Sequence, residues 1–224
     1  MKNGFAFHSV IAGLAALSIS GGASAQDEPA KDGAYIRLGV GATFLGERER
    51  EFAYPGVVFA LTPPNEDVTD YGTGKTFAAA LGFDYADGIR TELEYRYASS
   101  PEDTLTQVGG LFDGIVSEVD GEMKAHLLMT NFFFDFANSS PLTPFVGGGV
   151  GGAFVTNQFD ERDAALALQG RAGVSLEMGT GFSADFEYIY LRTNDLEFSD
   201  RIDFVVADDR YQASSVMVSL RRRF

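Results

Sequence analysis

Between residue 34 and residue 224, apolar side chains fall on every second position in eight separate segments of about ten residues, the period of β-strands with one greasy face. The first, 34–44, sets Ala34, Ile36, Leu38, Val40, Ala42 and Phe44 against Tyr35, Arg37, Gly39, Gly41 and Thr43. The second, 76–85, sets Phe77, Ala79, Leu81, Phe83 and Tyr85 against Thr76, Ala78, Ala80, Gly82 and Asp84. The third opposes Ile89, Thr91, Leu93, Tyr95 and Tyr97 to Arg90, Glu92, Glu94 and Arg96. The fourth, 125–136, carries Leu128, Phe132, Phe134 and Phe136 opposite Asn131 and Asp135; the fifth, 143–154, is rich in glycine. The sixth, 165–178, alternates Leu166, Leu168, Ala172, Val174, Leu176 and Met178 with Gln169, Arg171, Ser175 and Glu177. The seventh opposes Phe182, Ala184, Phe186, Tyr188 and Tyr190 to Ser183, Asp185 and Glu187, and the eighth runs through Val216, Val218 and Leu220 to Phe224, with Arg222 the exception on its apolar face.

Short links at 86–88, 138–141 and 179–181 alternate with long ones at 46–74, 99–122, 155–163 and 193–210. Strands of this length and number, joined in this rhythm, predict an all-β fold: an eight-stranded antiparallel up-and-down transmembrane β-barrel. The first 25 residues read differently. Lys2 heads an apolar stretch from Gly4 to Ile19, followed by Ala23-Ser24-Ala25. That order is a secretory signal peptide over 1–25 with cleavage after Ala25. Residues 26–33 are then a short periplasmic segment and 34–224 one barrel domain. Beyond the signal no apolar run reaches 18 residues, so a chain of this kind enters a bilayer only as a closed sheet. With no cysteine, an exported chain relies on packing, strand pairing and lipid for its stability.

Alternation alone does not say which face meets water, since a lipocalin-type barrel alternates with its apolar face inward. Two features favour lipid outside. Small residues (Gly39, Gly41, Ala78, Ala80, Gly82, Gly147, Gly149, Gly151, Gly173) crowd the polar face, as the narrow inside of an eight-stranded barrel requires. On the apolar face, Phe83, Tyr85, Phe134, Phe136, Phe182 and Phe224 fall beside the short turns, and Phe44, Tyr95, Tyr97, Phe154, Tyr188 and Tyr190 beside the long ones, forming two interfacial girdles. The lumen then holds Arg37, Asp84, Arg90, Glu92, Glu94, Arg96, Asp135, Arg171, Glu177, Asp185 and Glu187. Groups of this kind pair or keep water, as a structural network that plugs the barrel or as a gated ion pathway.

The formal charge of −15 sits mainly in the long links; 99–122 carries Glu102, Asp103, Asp113, Glu118, Asp120 and Glu122 without Lys or Arg. Such acids keep loops solvated, or bridge divalent cations to lipopolysaccharide phosphates. Gly147 to Gly152 satisfies a dinucleotide-binding spacing, yet no amphipathic helix follows it, and Gly74-Lys75-Thr76 lacks the first glycine of a phosphate loop. Neither a cofactor nor nucleic acid is expected. His126, the one histidine outside the signal, falls on the apolar face at the outer rim, so no catalytic residue and no metal site is assigned.

The sequences Gly33-Ala34-Tyr35-Ile36-Arg37-Leu38-Gly39, Glu92-Leu93-Glu94-Tyr95-Arg96-Tyr97, Asn131 with Asp135-Phe136, Pro144-Phe145-Val146-Gly147-Gly148-Gly149-Val150-Gly151 and Arg221-Arg222-Arg223-Phe224 resemble the outer-membrane β-barrel domain of OmpA-like transmembrane barrels and of the Omp25/Omp31-type surface antigens of α-proteobacteria. The resemblance implies a Gram-negative cell outer membrane. It also implies that the barrel-assembly machinery reads Phe224 as its signal, although Arg222 stands where these proteins usually have tyrosine. No peptidoglycan-binding domain is expected after the barrel. The expected function is a non-enzymatic, monomeric structural or surface barrel in contact with outer-membrane lipid and lipopolysaccharide. A small-conductance porin-like pore is the alternative, with a lipid A-modifying enzyme and a loop-mediated adhesin behind it.

Overall fold

The computed structural model describes residues 32–46, 48–52, 66–85, 87–109, 113–157, 161–196, 205–206 and 210–224. The signal peptide, its cleavage point at Ala25 and most of the segment 26–33 lie outside them. Eight long strands form the barrel: β1 Gly33–Leu45, β4 Gly74–Tyr85, β5 Ile89–Val108, β6 Val116–Asp135, β7 Leu142–Thr156, β8 Arg162–Gly179, β9 Phe182–Asp195 and β11 Arg210–Arg223. Each pairs antiparallel with the next in this order, and β11 returns to β1, so the ring closes and leaves no edge.

The register also fixes the tilt. In-register partners of Arg37 lead one way through Ala80, Glu94, Met129, Gly151 and Ala167 to Thr193. The other way they lead through Arg221 to Ser183. The two routes reach β9 ten residues apart, the stagger that inclines strands by roughly 40° and lets side chains fill an eight-stranded interior. A row of in-register residues therefore climbs toward the long connections as it passes from β4 to β9.

The alternating faces are those of the sequence pattern. Leu38, Val40, Leu81, Leu93, Leu128, Phe132, Leu168, Phe186, Val218 and Leu220 all lie exposed on the outer wall, while Arg37, Ala80, Glu94, Asn131, Arg171 and Glu187 are buried within. Tight turns with positive φ at Gly88 and at Gly179-Thr180-Gly181 join β4 to β5 and β8 to β9. Inward glycines make room for their neighbours' rings: a Cβ on Gly82 would strike the Tyr35 ring, and one on Gly147 the Phe133 ring.

Three differences from the sequence reading stand out. The connection expected over 99–122 is largely strand, because β5 continues past the barrel rim to Val108 and β6 begins at Val116, the two paired as a hairpin. Glu102, expected among solvated loop acids, is accordingly buried. Short strands β2 (Arg48–Phe52), β3 (Glu66–Tyr71) and β10 (Val205–Val206) extend the sheet outward from β5 in the order β10-β2-β3-β5, within links expected to be loops.

Candidate functional site: the charged lumen

The centre of the lumen is a closed set of three guanidinium and three carboxylate groups. Alternation aims Arg37 inward from β1, Glu92, Glu94 and Arg96 from β5, Arg171 from β8 and Glu187 from β9. Arg37 pairs with Glu92 and Glu187, both at 2.8 Å, and with Glu94. Arg171 reaches Glu94 and Glu187, both at 2.7 Å, and Arg96 meets the other oxygen of Glu94, again at 2.7 Å. The remaining lone pairs and protons find neutral partners. Tyr35 donates to Glu92 at 2.8 Å, Arg37 donates to the Ser219 hydroxyl, and Arg96 donates to the Gln169 carbonyl, whose amide donates to Asn131. All six charged side chains are 2% accessible or less. Their formal charges cancel, which a buried group of this kind requires, since one unpaired ion costs several kcal/mol.

Nearer the short turns lies a looser second layer. Arg90 forms a bidentate pair with Asp135 at 2.7 and 2.8 Å, its guanidinium stacked on the Phe133 and Phe145 rings. Arg221 lies 3.6 Å from Asp185 and 3.9 Å from Glu177 and donates to Ser175; Arg223 lies 3.3 Å from Asp84. Phe133 joins the layers, its ring lying against both Arg90 and Arg171. Nearer the long connections the axis turns apolar: Met123, Leu127, Met129, Val155, Leu191, Leu196 and Tyr211 form one buried cluster, with Leu45 and Tyr71 packed on it.

All eleven charged residues expected in the lumen occupy its face. Arg37, Glu92, Glu94, Arg96, Arg171 and Glu187 meet at the centre, and Arg90 and Asp135 pair below them. Asp84, Asp185 and Glu177 are met by Arg221 and Arg223, which sequence reasoning left out although their odd numbers oppose Val218 and Leu220. Glu177 stands at the mouth with its side chain 47% accessible, so it belongs to the rim. The apolar cluster also escaped notice, because Leu127 and Met129 sit in a strand that is apolar on both faces.

Arg222 turns outward at the short-turn rim, where its guanidinium covers the Phe182 ring. His126 also faces outward, its Nδ1 2.7 Å from the Tyr95 hydroxyl and its ring 5.1 Å from that of Tyr97. Phe224 is 75% exposed at the short-turn margin, and its N–H donates to the Ala34 carbonyl at 3.0 Å.

Comparison with known proteins agrees with this architecture. The chain is 25% identical to an uncharacterized protein of Brucella abortus and to counterparts in Brucella suis and Brucella melitensis, over 87% of its own length and 83% of theirs. It is similar in fold to Neisserial surface protein A, with a TM-score of 0.54, 13% identity, and coverage of 87% of this chain and 99% of that one. The outer membrane protein OprG of Pseudomonas aeruginosa aligns with a TM-score of 0.47 at 12% identity, over 86% of this chain and 96% of that one. Residues 12–224 match the model of one family, which places the protein in the outer membrane. With its closed eight-strand ring, greasy outer wall and ionic axis, the chain belongs to the outer membrane protein β-barrel domain family.

Proposed function

We propose that the protein is a non-enzymatic, monomeric barrel that reinforces the outer membrane, with its lumen closed and its acidic long connections facing the exterior. The observation that carries this reading is the central network. Arg37, Arg96 and Arg171 satisfy Glu92, Glu94 and Glu187 with no water-sized gap beside Glu94 or Arg171, and an apolar layer lies above. A permeating ion would have to part these pairs and then cross that layer. Each step strips charge of its partners at a cost of several kcal/mol.

Planar-bilayer recording tests the proposal. The expected result is no reproducible unit conductance; steady single-channel steps that change on Glu92→Gln or Glu94→Gln would overturn it and make the barrel a small pore. The position of His126 supports an interfacial role, since its ring is engaged by Tyr95 and Tyr97 on the lipid-facing wall. A His126→Ala variant is expected to leave lipopolysaccharide acylation in cells unchanged.

The proposed partners are outer-membrane lipid, lipopolysaccharide and, during biogenesis, the barrel-assembly machinery, which would read Phe224 at the end of β11. Removal of Phe224 is expected to lower the yield of heat-modifiable protein in outer-membrane fractions. Undiminished yield would remove that role from Phe224.

A further inference from the structure

Two rows of outward side chains run in register across neighbouring strands near the long-connection margin. The first is aromatic: Phe77, Tyr97, His126 and Phe154 are direct partners on β4, β5, β6 and β7. The second lies two residues further toward the long connections and alternates cations with hydroxyls, Ser99 being buried with its hydroxyl bonded to the Glu122 carboxylate. Lys75 pairs with Ser99, Ser99 with Lys124, Lys124 with Thr156, and Thr156 with Arg162. Neighbouring strands stand roughly 4.8 Å apart, so Lys75 and Lys124 are about 10 Å apart along the row.

The ten-residue stagger lifts such a row by about 3 Å along the membrane normal per strand. Lys75 therefore stands beside the aromatic margin, Lys124 about 6 Å further out, and Arg162 highest. Outward positions at the opposite ends of the same strands hold Tyr85, Ile89, Phe134, Leu142 and Met178, none of them cationic. The row is thus suited to one leaflet.

We infer that Lys75, Ser99 and Lys124 are a seat for the phosphate groups of the lipid A headgroup of lipopolysaccharide, continued by Thr156 and Arg162 toward the anionic sugars above it. The inference rests on the proposed placement of the long connections on the exterior. Acyl chains would lie along Leu93, Leu128 and the aromatic row, and the ammonium groups meet anions at the plane where a phosphorylated glycolipid leaflet concentrates them. A cleft of about 450 Å³ opens beside Lys124, between the β5–β6 hairpin and the end of β7. Pro101, Asp120, Glu122, Thr156 and Asn157 line it; the carboxylates and the Thr156 hydroxyl suit sugar hydroxyls, while the Asn157 amide is held by the Glu161 carboxylate. Without lipid, Glu122 occupies the donors: it accepts from the Ser99 hydroxyl and lies 3.0 Å from the Lys124 ammonium. A phosphate offers those donors more oxygens and more charge, and displaces a carboxylate that is free to turn to water.

The test uses the full-length folded barrel in phospholipid nanodiscs without divalent cations, titrated by native mass spectrometry with bisphosphorylated lipid A or with the same lipid after enzymatic removal of both phosphates. The wild-type barrel is expected to hold the bisphosphorylated lipid about tenfold more tightly. Lys75→Gln with Lys124→Gln is expected to abolish that preference, each single variant to reduce it, and Arg222→Gln at the opposite rim to leave it intact. Equal binding of the two lipids by the wild type overturns the inference, as does an unchanged preference in a double variant that still shows heat-modifiable migration. Failure of the wild type itself to insert would instead overturn the barrel's proposed role, and so remains distinguishable.

Discussion

Midway along the axis, Arg37, Arg96 and Arg171 fill the barrel together with Glu92, Glu94 and Glu187; nearer the long connections Met123, Leu127, Met129, Val155 and Leu191 fill the same cross-section. Both layers exclude water from a space too narrow for a wide channel. They differ in what they demand of the chain. The apolar layer needs only volume and complementary shape, and its members are satisfied by any greasy neighbour. The ionic layer needs every partner at once, because a guanidinium that loses its carboxylate cannot turn to solvent. Position in the fold explains the choice: β4 and β11 contribute only small residues such as Ala80 and Ser219 at this level, so long side chains from β1, β5, β8 and β9 must span the axis.

The harshest way to break this contrast is Glu94→Ala. Glu94 serves Arg37, Arg96 and Arg171 at once, so its loss leaves three buried cations sharing two carboxylates. Removing one partner of such a network is expected to cost about 3–5 kcal/mol, read as a lower urea midpoint of refolded protein in detergent or vesicles. A midpoint equal to wild type would mean that water reaches the network. Double replacement of Glu94 and Arg96 by apolar residues of similar volume is expected to recover part of the loss, since a paired deletion leaves fewer orphaned ions.

In the apolar layer the matching experiment is Leu127→Ala, fully inside and packed beneath the hairpin. A cavity among Met129, Val155 and Leu191 is expected to cost about 2–5 kcal/mol with no dependence on ionic strength. Should salt alter its effect as much as that of Glu94→Ala, the two layers would not be physically distinct. On the outer wall, Leu38 is 64% exposed in the middle of the apolar band, and Leu38→Arg is expected to cost about 2–4 kcal/mol in a bilayer. The same substitution is expected to be far milder in short-chain detergent, where the cation reaches water.

The two layers were not equally legible in the chain. Period two placed Arg37, Glu92, Glu94, Arg96, Arg171 and Glu187 on one face because every residue beside them in sequence is apolar or small. It says nothing of which carboxylate meets which guanidinium, since that depends on the ten-residue stagger, a property of ring closure that no single strand encodes. Leu127-Leu128-Met129 and Phe132-Phe133-Phe134 carry no alternation at all, so the inward half of each triplet is hidden until its neighbours are known. Arg221 and Arg223 were legible by parity but lay within an arginine run that reads as a terminal feature. The hairpin of β5 and β6 was masked by its acids, which look like loop solvation until cross-strand pairing is seen.

That hairpin supplies the mildest test of the comparison, because its ion pair stands outside the barrel. Glu122 and Lys124 face outward with side chains 39% and 44% accessible, and the Ser99 hydroxyl, followed by Lys124, holds the Glu122 carboxyl below the usual carboxylate range. A depressed carboxyl stabilises the fold at neutral pH, and that contribution fades as pH falls through the depressed value. Solvent screening keeps it small, so Glu122→Gln is expected to shift stability by less than about 1 kcal/mol at pH 7. At strongly acid pH, variant and wild type should unfold at the same urea concentration. A neutral-pH loss as large as that of Glu94→Ala would show that accessibility does not separate the two kinds of ion pair, and the distinction between a sealed axis and a solvated rim would have to be abandoned.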